Sequence, residues 1–141
     1  MNLLADTNIF GIAVDPKDKR RKSVWKTLGK VASEKMELNV AEITIEEIKE
    51  NPHQPTKEKE LKLLKLLITN TYSINPEIKN LSRRLETHTT LEPIDAQIVA
   101  TAIINNQTFW SGDYYILREK TINQIKQILK QTNYTFKYKK E

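Results

Sequence analysis

Apolar and polar positions along this chain follow two periods, and the period switches often. Leu3, Leu4 and Ala5 form a short apolar run that stops at Asp6-Thr7-Asn8. It reads as a buried strand over residues 2–6. Residues 8–13 read as a short helical turn. A charged connection follows over residues 15–22, where Pro16 disfavours helix just before it. Val24, Trp25, Leu28, Val31 and Ala32 then recur at helical spacing within residues 18–35. Residues 38–43 predict a second strand, and residues 44–51 a short helix stopped before Pro52. Residues 53–56 read as a loop. Residues 57–69 form an amphipathic helix, with Leu61, Leu64, Leu67 and Ile68 on one side and lysines opposite. Residues 72–74 predict a third strand, and Pro76 fits the first turn of a helix running to His88. Another helix opens at Glu92-Pro93 and ends near Asn106. Residues 108–111 predict a fourth strand, followed by a turn or short helix from Asp113 and a helix through Gln131. Residues 134–138 alternate like a sheet-edge strand with one wet face. Residues 137–141 read as a solvated end.

Strands alternating with helices place the chain in the α/β class, with a parallel sheet covered on both faces. At 141 residues a single domain, 1–141, is expected, with about 119–141 as a C-terminal helix and edge-strand extension. The formal charge of +5 and a pI near 9.3 favour polyanionic partners, nucleic acid among them. The chain has no cysteine, which excludes disulfides, zinc–thiolate sites and cysteine nucleophiles and is compatible with a reducing cytosol. No basic leader precedes an apolar run, and no stretch approaches the ~18 apolar residues of a membrane span. The expected location is the cytoplasm.

Four acids stand at element boundaries. Asp6 ends the first strand, where open α/β sheets bind ligands. It equally suits a cap on the next helix. Glu47 follows Thr44 at capping-box spacing, which would explain both residues without catalysis. Its neighbour Glu46 competes with it for the direction of Asp6. Asp95 leads into the helix Ala96-Gln-Ile-Val-Ala-Thr-Ala-Ile-Ile104, apolar on nearly every side, so it lies near the positive end of a buried helix dipole. Asp113 follows Ser111-Gly112, where Gly112 can supply an unusual backbone angle. Each acid has a local explanation, but together they form an all-oxygen donor set of the kind that suits Mg²⁺ or Mn²⁺. His53 and His88 have no partner at metal spacing. The chain has no glycine-rich phosphate loop, no G-x-S-x-G elbow and no Cys/His zinc pattern. Phosphate chemistry with metal ions is the reaction class these side chains supply best.

Leu-Leu-Ala-Asp6-Thr-Asn-Ile-Phe, Ala41-Glu-Ile-Thr-Ile-Glu-Glu47-Ile, Pro93-Ile-Asp95-Ala-Gln-Ile-Val-Ala-Thr-Ala and Phe109-Trp-Ser-Gly-Asp113 together resemble the PIN-domain nucleases, and among them the small VapC-type toxin ribonucleases. The match spans about residues 2–118. The resemblance implies a three-layer α/β/α sandwich with a central, mostly parallel sheet of four or five strands. It implies a Mg²⁺- or Mn²⁺-dependent endoribonuclease that leaves 5′-phosphate and 3′-hydroxyl ends. Asp6, Glu47 and Asp95 match the family's principal acids and Asp113 the more variable fourth. Thr7, Asn8 and Ser111 fall at supporting positions. It also implies a homodimer and an antitoxin protein partner.

The densest basic run, Lys17 with Lys19, Arg20, Arg21 and Lys22, is a candidate RNA-backbone contact, or equally a solvated helix start. Arg83, Arg84 and Arg118 are lesser candidates, and Tyr114 and Tyr115 candidate stacking residues. The alternative function is a PIN-like domain that binds RNA or protein without cutting.

Overall fold

The sheet is built from β1 (Asn2–Ala5), β2 (Glu37–Ala41), β3 (Asn70–Tyr72), β4 (Thr108–Ser111) and β5 (Lys137–Lys140). A computed structural model describes all residues, 1–141. The strand order is β3-β2-β1-β4-β5, and every pairing is parallel. The chain leaves β1 first toward β2 and β3 and later returns on the other side as β4 and β5. That reversal opens a crevice beyond the C-terminal ends of β1 and β4.

Seven helices cover the sheet: α1 (Thr7–Val14), α2 (Arg21–Ala32), α3 (Glu42–Lys49), α4 (Gln54–Leu67), α5 (Pro76–His88), α6 (Pro93–Ile104) and α7 (Glu119–Leu129). The pleat sends successive strand residues to opposite faces. Leu3, Ala5, Leu38, Val40 and Trp110 pack with residues of α1 to α4. Leu4, Ala41 and Phe109 pack with α5, α6 and α7. The result is the expected α/β/α sandwich with a parallel sheet, here of five strands. No helix is long and apolar enough to cross a membrane. α6 is apolar all round because the sheet and α5 cover it; Ala96 and Ile98 through Ile103 are buried.

The structure moves several expected boundaries. The strand expected over 38–43 ends at Ala41, because Glu42 already opens α3. The capping box at Thr44 and Glu47 therefore does not form. Thr44 lies inside the helix, fully buried, and its hydroxyl has no partner. The loop expected over 53–56 is instead the first turn of α4. The His53 ring accepts the Thr56 N–H, and Pro55 sits where a missing N–H costs nothing. The third strand lies at Asn70–Tyr72, two residues early. The edge strand expected over 134–138 lies three residues later: residues 137–140, read as part of a solvated end, form β5, largely exposed and parallel to β4 at the sheet edge. Glu141 accepts hydrogen bonds from the Ser23 hydroxyl (2.7 Å) and the Trp110 indole (3.2 Å).

Candidate active site

β1 and β4 deliver two polar side chains side by side at the crevice. The Asp6 N–H donates to the Trp110 carbonyl (2.8 Å), which continues the β1–β4 ladder by one step. Asp6 also caps α1, its carboxylate accepting the Thr7 N–H (2.8 Å). The other carboxylate oxygen accepts the Ser111 hydroxyl (2.7 Å) and the Asn8 amide (3.1 Å). Asn8 in turn accepts the Gly112 N–H (3.0 Å), and the Ser111 oxygen accepts the Asp113 N–H (2.9 Å). Asp6, Asn8 and Ser111 thus lock the start of α1 to the end of β4. Asp6 both caps a helix and stands at the switch point of the sheet.

α3 contributes Glu47, which accepts a hydrogen bond from the Thr7 hydroxyl. Glu46 is exposed, and of the two adjacent glutamates Glu47 is the one bonded to Thr7 beside the end of β1. Asp95 lies in the first turn of α6, half-buried. Asp113 follows β4 and holds the next turn through the N–H groups of Tyr115 (2.8 Å) and Ile116 (3.4 Å). Gly112 has no positive φ, so the expected unusual angle is not its reason. A Cβ there would meet Ile12 Cδ1 at 2.6 Å and Arg20 Nη1 at 2.8 Å, the far ends of two flexible side chains that can shift aside.

The acids feel one another. Burial, which penalises the charged form, raises the Asp6 pKa to about 7. The Ser111 hydrogen bond pulls the other way, while repulsion from Asp95 and Asp113 adds to the rise. Asp95 is raised to about 6 by burial and then by repulsion from Asp113, Glu47 and Glu92. The chain's two ion pairs, Arg20–Asp18 and Lys139–Glu141, involve none of the four candidate acids. No cation of the protein offsets their repulsion through direct contact. The donors are all oxygen, the chemistry that hard divalent cations select. As placed, no three acidic or histidine side chains close into a metal-holding cluster.

The basic run divides. Arg20 grips Asp18 through two N–H groups (3.1 and 2.9 Å) and donates to the Gly112 carbonyl (2.8 Å). Arg21 donates to the Ala13 carbonyl (3.0 Å) and lies over the Trp25 ring. Lys19 and Lys22 are exposed, without an ion pair or a side-chain hydrogen bond. Two of the five thus brace the fold, and one of them, Arg20, braces the turn that carries Asp113. Glu92, which the sequence reading did not single out, joins Asp95 and Asp113 along a cleft of about 280 Å³ that also includes Arg118 and Tyr115. Its only sequence signal is its place before Pro93 at a helix start. The larger cleft of about 540 Å³, lined by Arg84, His88 and Gln124, contains none of the four acids.

No family model and no curated protein matches the chain by sequence. Solved structures do match in fold. A chain of VapBC2 from Rickettsia felis, bound to a DNA fragment from their promoter, superposes with a TM-score of 0.71 at 13% identity, over 100% of this chain and 99% of that one. A toxin–antitoxin complex from Klebsiella pneumoniae gives 0.64 at 20% identity, over 84% and 93%. VapBC-1 from nontypeable Haemophilus influenzae gives 0.57 at 14%, over 99% and 98%. At these identities the likeness establishes architecture, and the architecture is the PIN-like α/β/α sandwich.

Proposed function

We propose that the protein is a metal-dependent endoribonuclease, with Asp6, Glu47, Asp95 and Asp113 as its metal-holding and catalytic residues. One observation carries this reading. The four acids lie near the switch-point crevice of a parallel sheet, where Asp6 and Asp95 are raised by burial and by repulsion from neighbouring acids, and none of the four forms an ion pair with a protein cation. Phosphate chemistry has a use for such an arrangement, and a purely structural site has none. Mg²⁺ or Mn²⁺ bound there would supply the positive charge that phosphodiester hydrolysis needs at the attacking and leaving oxygens.

The chain's own residues set the geometry. Ser111 and Asn8 fix the Asp6 carboxylate, Thr7 orients Glu47, and the Asp113 turn is held from below by Arg20 through Gly112. Lys17, Lys19 and Lys22 are the members of the basic run free to meet an RNA backbone. The solved structures of like fold include toxin–antitoxin complexes. That supports a second part of the proposal: the protein is the toxin of such a pair, a cytoplasmic homodimer held inactive by an antitoxin protein.

The test is cleavage of single-stranded and structured RNA with Mn²⁺, comparing wild type with Asp95→Asn. The expected result is cleavage by the wild type that EDTA abolishes, reduced at least a hundredfold in the variant. Equal cleavage by both proteins would identify a contaminant and overturn the assignment. Absence of cleavage with intact RNA binding would favour a non-cutting PIN-like domain.

A further inference from the structure

Beside Asp95 and Asp113 the cleft holds one cation whose charge has no partner. Arg118 shares this space with Glu92, Asp95 and Asp113, yet forms an ion pair with none of them. Its guanidinium is instead held by neutral groups. Nε donates to the Thr121 hydroxyl (3.2 Å) and Nη2 to the Thr90 hydroxyl (3.1 Å). The support is itself anchored: Thr121 is fully buried and donates to the Tyr115 carbonyl (2.9 Å). The guanidinium also lies 5.6 Å from the centroid of the Tyr115 ring, close enough for cation–π attraction.

An arginine lining a cleft with three acids could pair with one of them, since a charge-assisted pair is stronger than a bond to a hydroxyl. Here two hydroxyls and a ring hold it in a set direction with its charge unspent. Of its five N–H donors, two are engaged and the rest are free. The free donors form a fork suited to a phosphate rather than to a point contact. The placement matters too. An RNA strand whose scissile phosphate lies against the four acids carries its next phosphate one nucleotide along. There the acids of the cleft would repel it unless a fixed cation met it.

Building on the nuclease reading above, we propose that this cleft is a subsite for the phosphate of a nucleotide flanking the cut, with Arg118 as the residue that binds it. Tyr115, 71% exposed, forms the wall beneath the guanidinium and keeps it aimed into the cleft.

The experiment measures binding separately from cutting. A short fluorescein-labelled single-stranded RNA of mixed sequence is titrated by fluorescence anisotropy with Ca²⁺ in place of Mn²⁺, for wild type, Arg118→Gln and Arg118→Lys, across a range of salt. Arg118→Gln is expected to bind about tenfold more weakly, the scale of one charge-assisted contact. Its salt slope should be shallower by about 0.7, one single-strand phosphate contact. Arg118→Lys keeps the charge and loses the fork, so it should restore the slope but only part of the affinity. Both variants should melt close to wild type. Equal affinity and equal slope in Arg118→Gln would overturn the subsite while leaving the nuclease reading intact. Wild-type binding without Mn²⁺-dependent cleavage would overturn the nuclease reading and leave the binding comparison to decide the subsite.

Discussion

Asp6 shows what a single residue must satisfy here. It caps α1, accepts the Ser111 hydroxyl and still carries a raised pKa. Its position at a strand end was legible in the sequence, because an apolar run that stops at an acid marks where a buried strand ends. The choice between Glu46 and Glu47 was not, since adjacent residues on a short helix differ only by the turn's phase. In the structure the helix starts at Glu42, and its phase puts Glu47 beside Thr7 and leaves Glu46 exposed. The basic run divides for a related reason. A row of cations reads as a nucleic-acid patch, but the chain must reverse after α1, and Arg20 and Arg21 are used to brace that reversal. Arg20→Ala should therefore lower stability by about 1 kcal/mol, the scale of partly exposed charged contacts. It should leave the salt slope of RNA binding unchanged, whereas Lys19→Ala or Lys22→Ala should make it shallower. Melting and salt-dependent anisotropy of the three variants decide this. A shallower slope for Arg20→Ala would return it to the RNA-contact class.

Among the elements, α5 and β4 match their expected spans, and α6 lies within its own. Misreadings gather where local chemistry imitates a signal. Thr44-Ile-Glu-Glu47 imitates a capping box, but β2 ends with its pairing to β3 at Ala41 and the helix begins immediately. Pro55 imitates a loop, yet belongs to a helix's first turn. Lys137 to Lys140 look like a charged tail, yet β4 offers them a free edge and Trp110 offers Glu141 a donor. The stranded Thr44 hydroxyl gives a direct check of the α3 start. It is buried without a partner, so Thr44→Val, nearly the same shape, removes a desolvation penalty. It should raise stability by about 1 kcal/mol in denaturant unfolding. A loss of that size would mean the hydroxyl has a partner and that α3 is placed differently.

At the scale of the whole molecule, two helical layers and a central parallel sheet bring residues from four separate stretches of chain to one crevice. That convergence was legible only as a set, from the order and spacing of four acids. It carries an electrostatic cost that sets the protein's pH response. Asp6 and Asp95 have raised pKa values, about 7 and about 6, against an unfolded value near 3.8. Between these limits the folded chain binds more protons than the unfolded chain, so their contribution to stability falls as pH rises from about 4 toward 7. Asp18 is shifted the opposite way by Arg20, and its influence is complete below that window. A cation that binds the ionised acids reverses the loss, because it binds the folded form and not the unfolded one.

The melting temperature at pH 5 and pH 7.5, with Mn²⁺ and with EDTA, tests the central claim that these acids form a divalent-cation site. In EDTA the protein should melt lower at pH 7.5 than at pH 5. Added Mn²⁺ should raise the midpoint by several degrees at pH 7.5, far less at pH 5, and hardly at all in Asp95→Asn at either pH. A wild-type midpoint at pH 7.5 that is the same in Mn²⁺ and in EDTA would contradict it.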